Sequence, residues 1–253
     1  MKSLMIKAAK AAGKVVLKDY GKIKKLKFKA PRSIVTKTDI LSEQTIIKTI
    51  RKKFPNHNFL TEESDFIDKK SKYTWIIDPI DGTTNFVSNI PQFAISIALA
   101  KNNEILMGAV YNPCTDEMFS AEKGYGSYLN KKRLYVSKKN KLKDCILGFS
   151  LPSDIKIARK SLLILSKNYG TFRALRNFGS AALNMCYLAE AKFDLYFSFD
   201  ISTWDIAAAK LIVEEANGKI TNINNKKWNI NDRNIVASNK ILHDRFIKLL
   251  KWK

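Results

Sequence analysis

Apolar residues in the first twenty positions recur at helical spacing. Leu4, Met5, Ala8, Ala12, Val15 and Val16 fall on one face, and Lys2, Lys7, Lys10 and Lys14 break any continuous apolar run. That spacing predicts a helix over 3–20. A second helix is predicted over about 39–53, where Ile40, Ile46, Ile47 and Ile50 alternate with polar residues. The segment 73–77 is aromatic and β-branched and predicts a strand. It should stop at Asp78-Pro79, because a residue before proline is held extended and proline lacks an N–H. Apolar runs at 93–100, 105–111 and 117–121 predict further strands, separated by Lys101-Asn102-Asn103 and Asn112-Pro113. Residues 145–150 and 193–199 predict buried strands. Helices are predicted at 154–168, at 180–191 and from about 203 to 218. Ser202 or Thr203 caps the last of these, and Gly218 takes the left-handed position past its end. Strand runs and helix runs intermix without strict alternation, which predicts a layered α+β or α/β sandwich and not a parallel barrel.

No repeat, low-complexity block or Pro/Ser-rich linker divides the 253 residues, so 1–253 reads as a single domain. A 45% hydrophobic content supports a substantial core, and no stretch approaches the ~20 apolar residues of a membrane span. The lysines of the first helix leave no apolar region for a signal peptide. Cys114, Cys145 and Cys186 lie far apart with no C-x-x-C pair, which predicts reduced thiols in a cytoplasmic protein. His57 and His243 are too few for a histidine-based metal centre and read as packing or surface residues. No G-x-S-x-G elbow supports a serine hydrolase.

Forty-five Lys and Arg against 23 Asp and Glu give a net charge of +22. Such a charge permits a nucleic-acid or acidic-membrane partner through phosphate contacts. Lysine is nevertheless spread along the whole chain, with short clusters at 22–29, 131–143 and 226–227 and no long basic tail. That distribution, beside many Asn and Ile, fits a compositional bias, and nucleic-acid binding stays as an alternative.

Against this basic background, acidic residues gather in short segments. Asp78 and Asp81 flank a strand end three residues apart, on a turn set by Pro79. Two adjacent carboxylates repel, so one holds a proton unless a cation sits between them. Hard cations such as magnesium take carboxylates, water and substrate phosphate, and the Ile80 carbonyl offers one more oxygen. Gly82-Thr83-Thr84 follows at once, where close backbone approach and turn N–H groups suit a phosphate. Metal ligands and a phosphate cradle side by side are what metal-assisted phosphoryl hydrolysis needs. Glu62-Glu63-Ser64 and Trp204-Asp205 are the other two acidic segments. Taken singly, each has an ordinary reading as a turn, a solvated surface or a helix cap.

Together they carry a resemblance. The string 75–86, W-I-I-D-P-I-D-G-T-T-N-F, resembles the signature of the inositol monophosphatase family, and 204–218, W-D-I-A-A-A-K-L-I-V-E-E-A-N-G, is similar to its second signature. Glu62-Glu63-Ser64 resembles the family's acidic loop, and Thr36-Lys37-Thr38-Asp39 its upstream T-x-x-D element. The likeness runs from about residue 5 to 250. It implies an αβαβα sandwich of the inositol monophosphatase and fructose-1,6-bisphosphatase type, and a lithium-sensitive phosphatase using two to three Mg2+. By that resemblance Glu62, Asp78 and the Ile80 carbonyl hold one metal, and Asp78, Asp81 and Asp205 the second. Glu62 assists a third through water. Thr83, oriented by Asp39, helps activate the water, and the Gly82 and Thr83 amides bind phosphate. In-line attack of water without a phosphoenzyme is the implied mechanism, and a homodimer the implied assembly.

Substrate choice is where the chain departs from its family pattern. The resemblance places Gly179-Ser180-Ala181 against the substrate ring, together with Asp81 and Asp205. Ser198 stands where inositol phosphatases carry a glutamate that accepts hydrogen bonds from ring hydroxyls. Loss of one charged hydrogen bond is worth roughly 1.5–3 kcal/mol. Asp200, at a position often glycine, is a candidate to supply that carboxylate. The expected substrate is inositol 1-phosphate or a related small sugar phosphate. Fructose bisphosphate, 3′-phosphoadenosine 5′-phosphate and histidinol phosphate are the alternatives within the enzyme class, and a basic RNA- or transcription-associated binding protein is the alternative outside it. Asn217-Gly218 replaces the family's double glycine, and Asn tolerates a left-handed backbone.

Overall fold

The computed structural model describes residues 1–22, 27–30 and 33–251. Beyond Lys22, the basic run at 22–29 lies outside the described side chains. The chain opens with helix α1 (Lys2–Asp19), the hairpin β1 (Lys27–Ala30) and β2 (Ser33–Val35), and helix α2 (Lys37–Arg51). Seven strands follow: β3 (Asn58–Thr61), β4 (Tyr73–Asp81), β5 (Ala94–Lys101), β6 (Glu104–Asn112), β7 (Glu117–Glu122), β8 (Gly126–Leu129) and β9 (Lys132–Arg133). They form one sheet in sequence order, with the short helix α3 (Thr83–Val87) between β4 and β5. Only the β3–β4 pair in it is parallel.

The second half contributes β10 (Ile146–Ser150), helix α4 (Ile155–Lys167), β11 (Ala174–Arg176), helix α5 (Ala181–Ala189) and β12 (Leu195–Phe199). Helix α6 (Thr203–Glu215), β13 (Lys219–Thr221), β14 (Asn234–Ser238) and helix α7 (His243–Leu250) complete it. Its strands make a mixed five-stranded sheet in the order β11-β10-β12-β14-β13.

Three apolar clusters separate the layers. Met5, Ala12, Ile46 and Ile50 from α1 and α2 pack on the outer face of the large sheet against Trp75, Ile77, Ile95 and Ile97. The inner face packs α5 and α6 against both sheets. On the far side of the small sheet, Ile164, Leu165, Phe246 and Leu250 from α4 and α7 meet Phe197 and Val236. The order is therefore helix, sheet, helix, sheet, helix, the αβαβα sandwich expected from the sequence.

The pattern along β5 explains how the layers fit. Ile95, Ile97 and Leu99 face α1 and α2, while Ala94, Ala98 and Ala100 face the inner helices. Small residues on that face, with Ala207 to Ala209 opposite, bring the α6 backbone against the sheet. A Cβ at Gly108 of β6 would lie 2.6 Å from the Ala208 carbonyl oxygen, so glycine is required there. This approach carries the N-terminus of α6, and Asp205 with it, to the end of β4.

Two expectations change. β4 does not stop at Pro79 but continues to Asp81, and its pairing with β5 slips: Asp78 faces Ser96 and Asp81 faces Ala94. Three steps on β4 match two on β5, so the proline sits in a bulge, where its missing N–H leaves no gap in the ladder. The extra residue also matters for chemistry. In a regular strand, residues three apart face opposite sides; the bulge lets Asp78 and Asp81 share one cleft. At the end of α6, Asn217 and not Gly218 takes the left-handed backbone, with φ 67°. Gly218 is needed for closeness instead, since a Cβ there would lie 2.5 Å from the Val213 side chain.

The histidines are packing residues. His57 stacks between Phe54 and Tyr73 and accepts a hydrogen bond from Trp75 Nε1 at 3.0 Å. His243 is buried between the hydroxyls of Thr221 and Ser238, at 2.9 and 2.8 Å. The three cysteines are unpaired thiols. No described helix is long and apolar enough to cross a membrane.

Candidate active site

A cleft of about 470 Å³ opens at the end of β4, where the bulge, α3, the start of α6 and the end of β12 converge. Glu62, Asp78, Ile80, Asp81, Gly82, Thr83 and Asp205 all line it, as do Gly179, Ala181 and Ser198. Segments far apart in sequence thus supply one acidic wall.

Each carboxylate is held by its own local structure. Asp78 accepts from the Ile80 N–H at 2.9 Å across the bulge. Asp81 accepts from the Ser180 hydroxyl at 2.5 Å and from the N–H groups of Ala181 and Ala182 at 3.3 and 2.7 Å, at the start of α5. Asp205 accepts from the N–H of Ser202, the residue capping α6, at 3.0 Å. Ser202 is therefore the cap, and Thr203 instead donates to the Ile230 carbonyl at 2.5 Å.

Burial raises the proton affinity of these groups. Asp78 is pushed well above the usual carboxylate range by burial first, then by the charges of Glu62, Asp81 and Asp205. Asp205 is pushed in the same direction by burial and by Asp81 and Glu62, against the Ser202 N–H and then Arg233, which pull it down. Asp81 is raised to about 6, burial outweighing its three hydrogen bonds. Acids crowded and dehydrated in this way favour either a proton or a cation among them.

Among the described residues, no three Asp, Glu, His or Cys side chains form a ready-made cage for a metal ion. Asp78, Asp81 and Asp205 each spend part of their hydrogen-bonding capacity on protein donors. The arrangement suits a cation that takes a few carboxylates, each already bonded to the protein, and completes its shell with water and substrate oxygens. That is the habit of magnesium and not of zinc.

Asp39 and Ser180 do not line the cleft. Asp39 is fully buried and reaches the site through Thr83, whose hydroxyl lies 3.1 Å from Asp39 Oδ1 and 3.0 Å from the Ile80 carbonyl. Ser180 is buried and turned onto Asp81. Its part is to orient that carboxylate, not to face a ligand as expected. Gly179, with φ 76°, permits the turn that precedes it; a Cβ there would lie 2.6 Å from the Asn85 side chain. Asn85 in turn donates to the carbonyls of Gln92 and Phe178, tying the α3 turn to the Gly179 loop.

Glu43 and Arg233 were not singled out from the sequence. Glu43 is buried on α2, and its carboxylate accepts from the Glu63 N–H at 2.9 Å and from the Ser64 hydroxyl. It thereby fixes the loop carrying Glu62. The signal was available, because Asp39, Ser42 and Glu43 extend the stripe of Ile46, Ile47 and Ile50 at helical spacing. A polar stretch on a buried face marks side chains with partners to satisfy. Ser42 makes the third such contact, donating to the Pro79 carbonyl at 3.0 Å.

Buried acids around a cleft that also presents a glycine turn, carried between the two sheets of this sandwich, define an enzyme that hydrolyses phosphoric monoesters. The chain belongs to the inositol monophosphatase family, whose model matches residues 1–252. It is 33% identical to the inositol-1-monophosphatase of Mesorhizobium japonicum, over 98% of this chain and 95% of that protein. It is 36% identical to the Nus factor SuhB of Pasteurella multocida, over 94% and 91%. The crystal structure of the extragenic suppressor protein SuhB from Bartonella henselae superposes with a TM-score of 0.93 at 35% identity, covering 98% of this chain and 97% of that one.

Proposed function

We propose that the chain, acting as one domain, is a magnesium-dependent phosphatase of inositol 1-phosphate or a related small sugar phosphate. The observation that supports this most is the convergence of Glu62, Asp78, Asp81 and Asp205 on one cleft beside Gly82 and Thr83. In this reading Glu62, Asp78 and the Ile80 carbonyl hold one magnesium, and Asp78, Asp81 and Asp205 a second. Glu62 reaches a third through water. When bound, magnesium neutralises the phosphate and makes an attacking water more acidic.

The chain's own residues do the rest. Gly82 and Thr83 offer backbone N–H groups to the phosphate oxygens, at a turn that glycine's left-handed φ of 97° makes possible. The Thr83 hydroxyl, accepting from water and donating to Asp39, passes proton density toward a buried carboxylate and fixes the water's approach. Gly179 and Ala181 leave room for the substrate ring. Phosphate release from inositol 1-phosphate, measured with and without magnesium, tests the reading, and its absence in both conditions rejects it.

The same reading places the enzyme in the cytoplasm, where its three thiols stay reduced, and expects a homodimer. A second role in binding RNA or the transcription machinery has one observation in its favour beyond the +22 charge: the Pasteurella multocida relative is a Nus factor. RNA binding that falls steeply with salt and survives Asp78→Asn would support it.

A further inference from the structure

We propose that Asp200 and Arg233 form the substrate-selecting wall of the cleft. Asp200 accepts a hydrogen bond from a hydroxyl of a neutral polyol monophosphate, and Arg233 holds that carboxylate in position. The proposal rests on the phosphatase reading above and adds the substrate feature that the cleft selects.

The pair is built into the cleft and not scattered on the surface. β12 ends at Phe199, and Asp200 follows with φ 50°, a left-handed backbone that asparagine and aspartate tolerate best among side-chain-bearing residues. Both Asp200 and Arg233 line the cleft with the catalytic carboxylates. Arg233 is tethered twice. Its carbonyl accepts from the Ile201 N–H at 2.8 Å, and its Nε and Nη2 donate to Asp200 at 3.0 and 2.7 Å.

Both guanidinium hydrogen bonds fall on the same oxygen, Asp200 Oδ1. Oδ2 is left outside the pair, on a side chain 30% exposed within the cleft. A carboxylate oxygen only accepts hydrogen bonds, so its natural partner is a hydroxyl. A second phosphate or a carboxylate of the substrate would meet its negative charge and be repelled. This favours the monophosphate of an uncharged polyol over a bisphosphate.

Ser198, two residues earlier on β12, does not compete for this task. It is buried, and its hydroxyl donates to the Ser150 carbonyl at 3.4 Å. An ordinary surface ion pair would contribute little and would be indifferent to substrate. Substrate dependence is therefore what separates the two readings.

The test compares the whole protein with its Asp200→Asn and Arg233→Met variants in magnesium. The substrates are inositol 1-phosphate, fructose 1,6-bisphosphate and p-nitrophenyl phosphate, the last having no hydroxyl. Asparagine keeps the left-handed backbone and the shape, so Asp200→Asn should fold. The expected result is a kcat/KM ratio of inositol 1-phosphate to p-nitrophenyl phosphate that falls roughly 10- to 100-fold in Asp200→Asn, carried by KM. Arg233→Met should lower the same ratio, and Arg233→Lys should restore part of it. The ratio for fructose 1,6-bisphosphate should fall less, or rise, in Asp200→Asn. A ratio unchanged within about twofold, or carried by kcat, would overturn the assignment while leaving the phosphatase reading in place. Hydrolysis of none of the three by the wild type would overturn the phosphatase reading and this one with it.

Discussion

The Thr83 hydroxyl stands 3.1 Å from Asp39 Oδ1 across 44 positions of chain, and the same Asp39 accepts through Oδ2 from the Thr36 N–H and hydroxyl at 2.8 and 2.6 Å. One buried carboxylate thus closes the capping box of α2 and orients a hydroxyl in the cleft. Asp39→Asn separates the two tasks by magnitude. Loss of the cap costs about 1 kcal/mol, a fall of ~2–4 °C in Tm. Loss of the proton acceptor lowers kcat by roughly 10²- to 10⁴-fold. Steady-state kinetics beside a thermal melt should show nearly all activity lost from a folded protein.

Glu43 acts on the cleft without lining it. Because it holds the Glu63 N–H and the Ser64 hydroxyl, Glu43→Gln should loosen the loop that presents Glu62. Supports of this kind are worth about 10- to 100-fold in metal affinity. The magnesium concentration giving half-maximal activity should rise by that factor, while kcat at saturating magnesium stays closer to wild type. An unchanged magnesium dependence would show that the loop holds itself.

The acidic cluster makes a signed prediction about pH. Asp78 and Asp205 are held well above their usual range, and Asp81 rises from 3.8 to about 6. A raised folded value means that the native state binds the proton more tightly than the unfolded chain. The stability this contributes is fully present below pH ~4 and is lost, for Asp81, as pH rises toward about 6. His243 works the other way. Burial lowers it to about 4, so its contribution is lost as pH falls from about 6.5 to 4. The two overlap, and the magnesium-induced change in Tm isolates the carboxylates. Magnesium should raise Tm more at a pH of about 7.5, above the value of about 6 for Asp81, than at about 5, below it; at 100 times its Kd it adds about 2.7 kcal/mol. A magnesium shift equal at both pH values would contradict this.

Much of this architecture was legible from pattern alone. The α1 stripe, the β4 to β7 runs and the cap of α6 follow from spacing and local hydrogen bonding, and the acidic segments were visible as anomalies in a basic chain. The bulge at Pro79 was not, because a proline after a strand pattern reads equally as a stop; only pairing with β5 shows that the strand continues. Ser180 was misjudged for a related reason. Its hydroxyl has two good partners, a ligand or Asp81, and sequence does not say that Asp81 lies 99 positions back within 2.5 Å. β8, β9, β11 and α7 are short elements whose stability comes from tertiary packing, so local pattern carried little of them.

Close layer packing gives a prediction independent of chemistry. Gly108→Ala places a methyl 2.6 Å from the Ala208 carbonyl oxygen, against helix backbone that no rotamer change can move aside. The cost should be about 1–3 kcal/mol, with Tm falling by ~2–4 °C for each kcal/mol. Because the displaced helix carries Asp205, activity should fall as well at temperatures where the protein remains folded. A melt indistinguishable from that of the wild type would mean that α6 can move away freely.

The most direct test of the central claim is magnesium-dependent phosphate release from inositol 1-phosphate by the wild type and by Asp78→Asn. Asp78 sits on the bulge that joins β4 to the cleft, within reach of the charges of Glu62, Asp81 and Asp205. The account predicts release by the wild type that requires magnesium, and a loss of at least about 10³-fold in the variant at an unchanged fold. Release by Asp78→Asn at a rate near wild type would contradict it and place the chemistry elsewhere on the molecule.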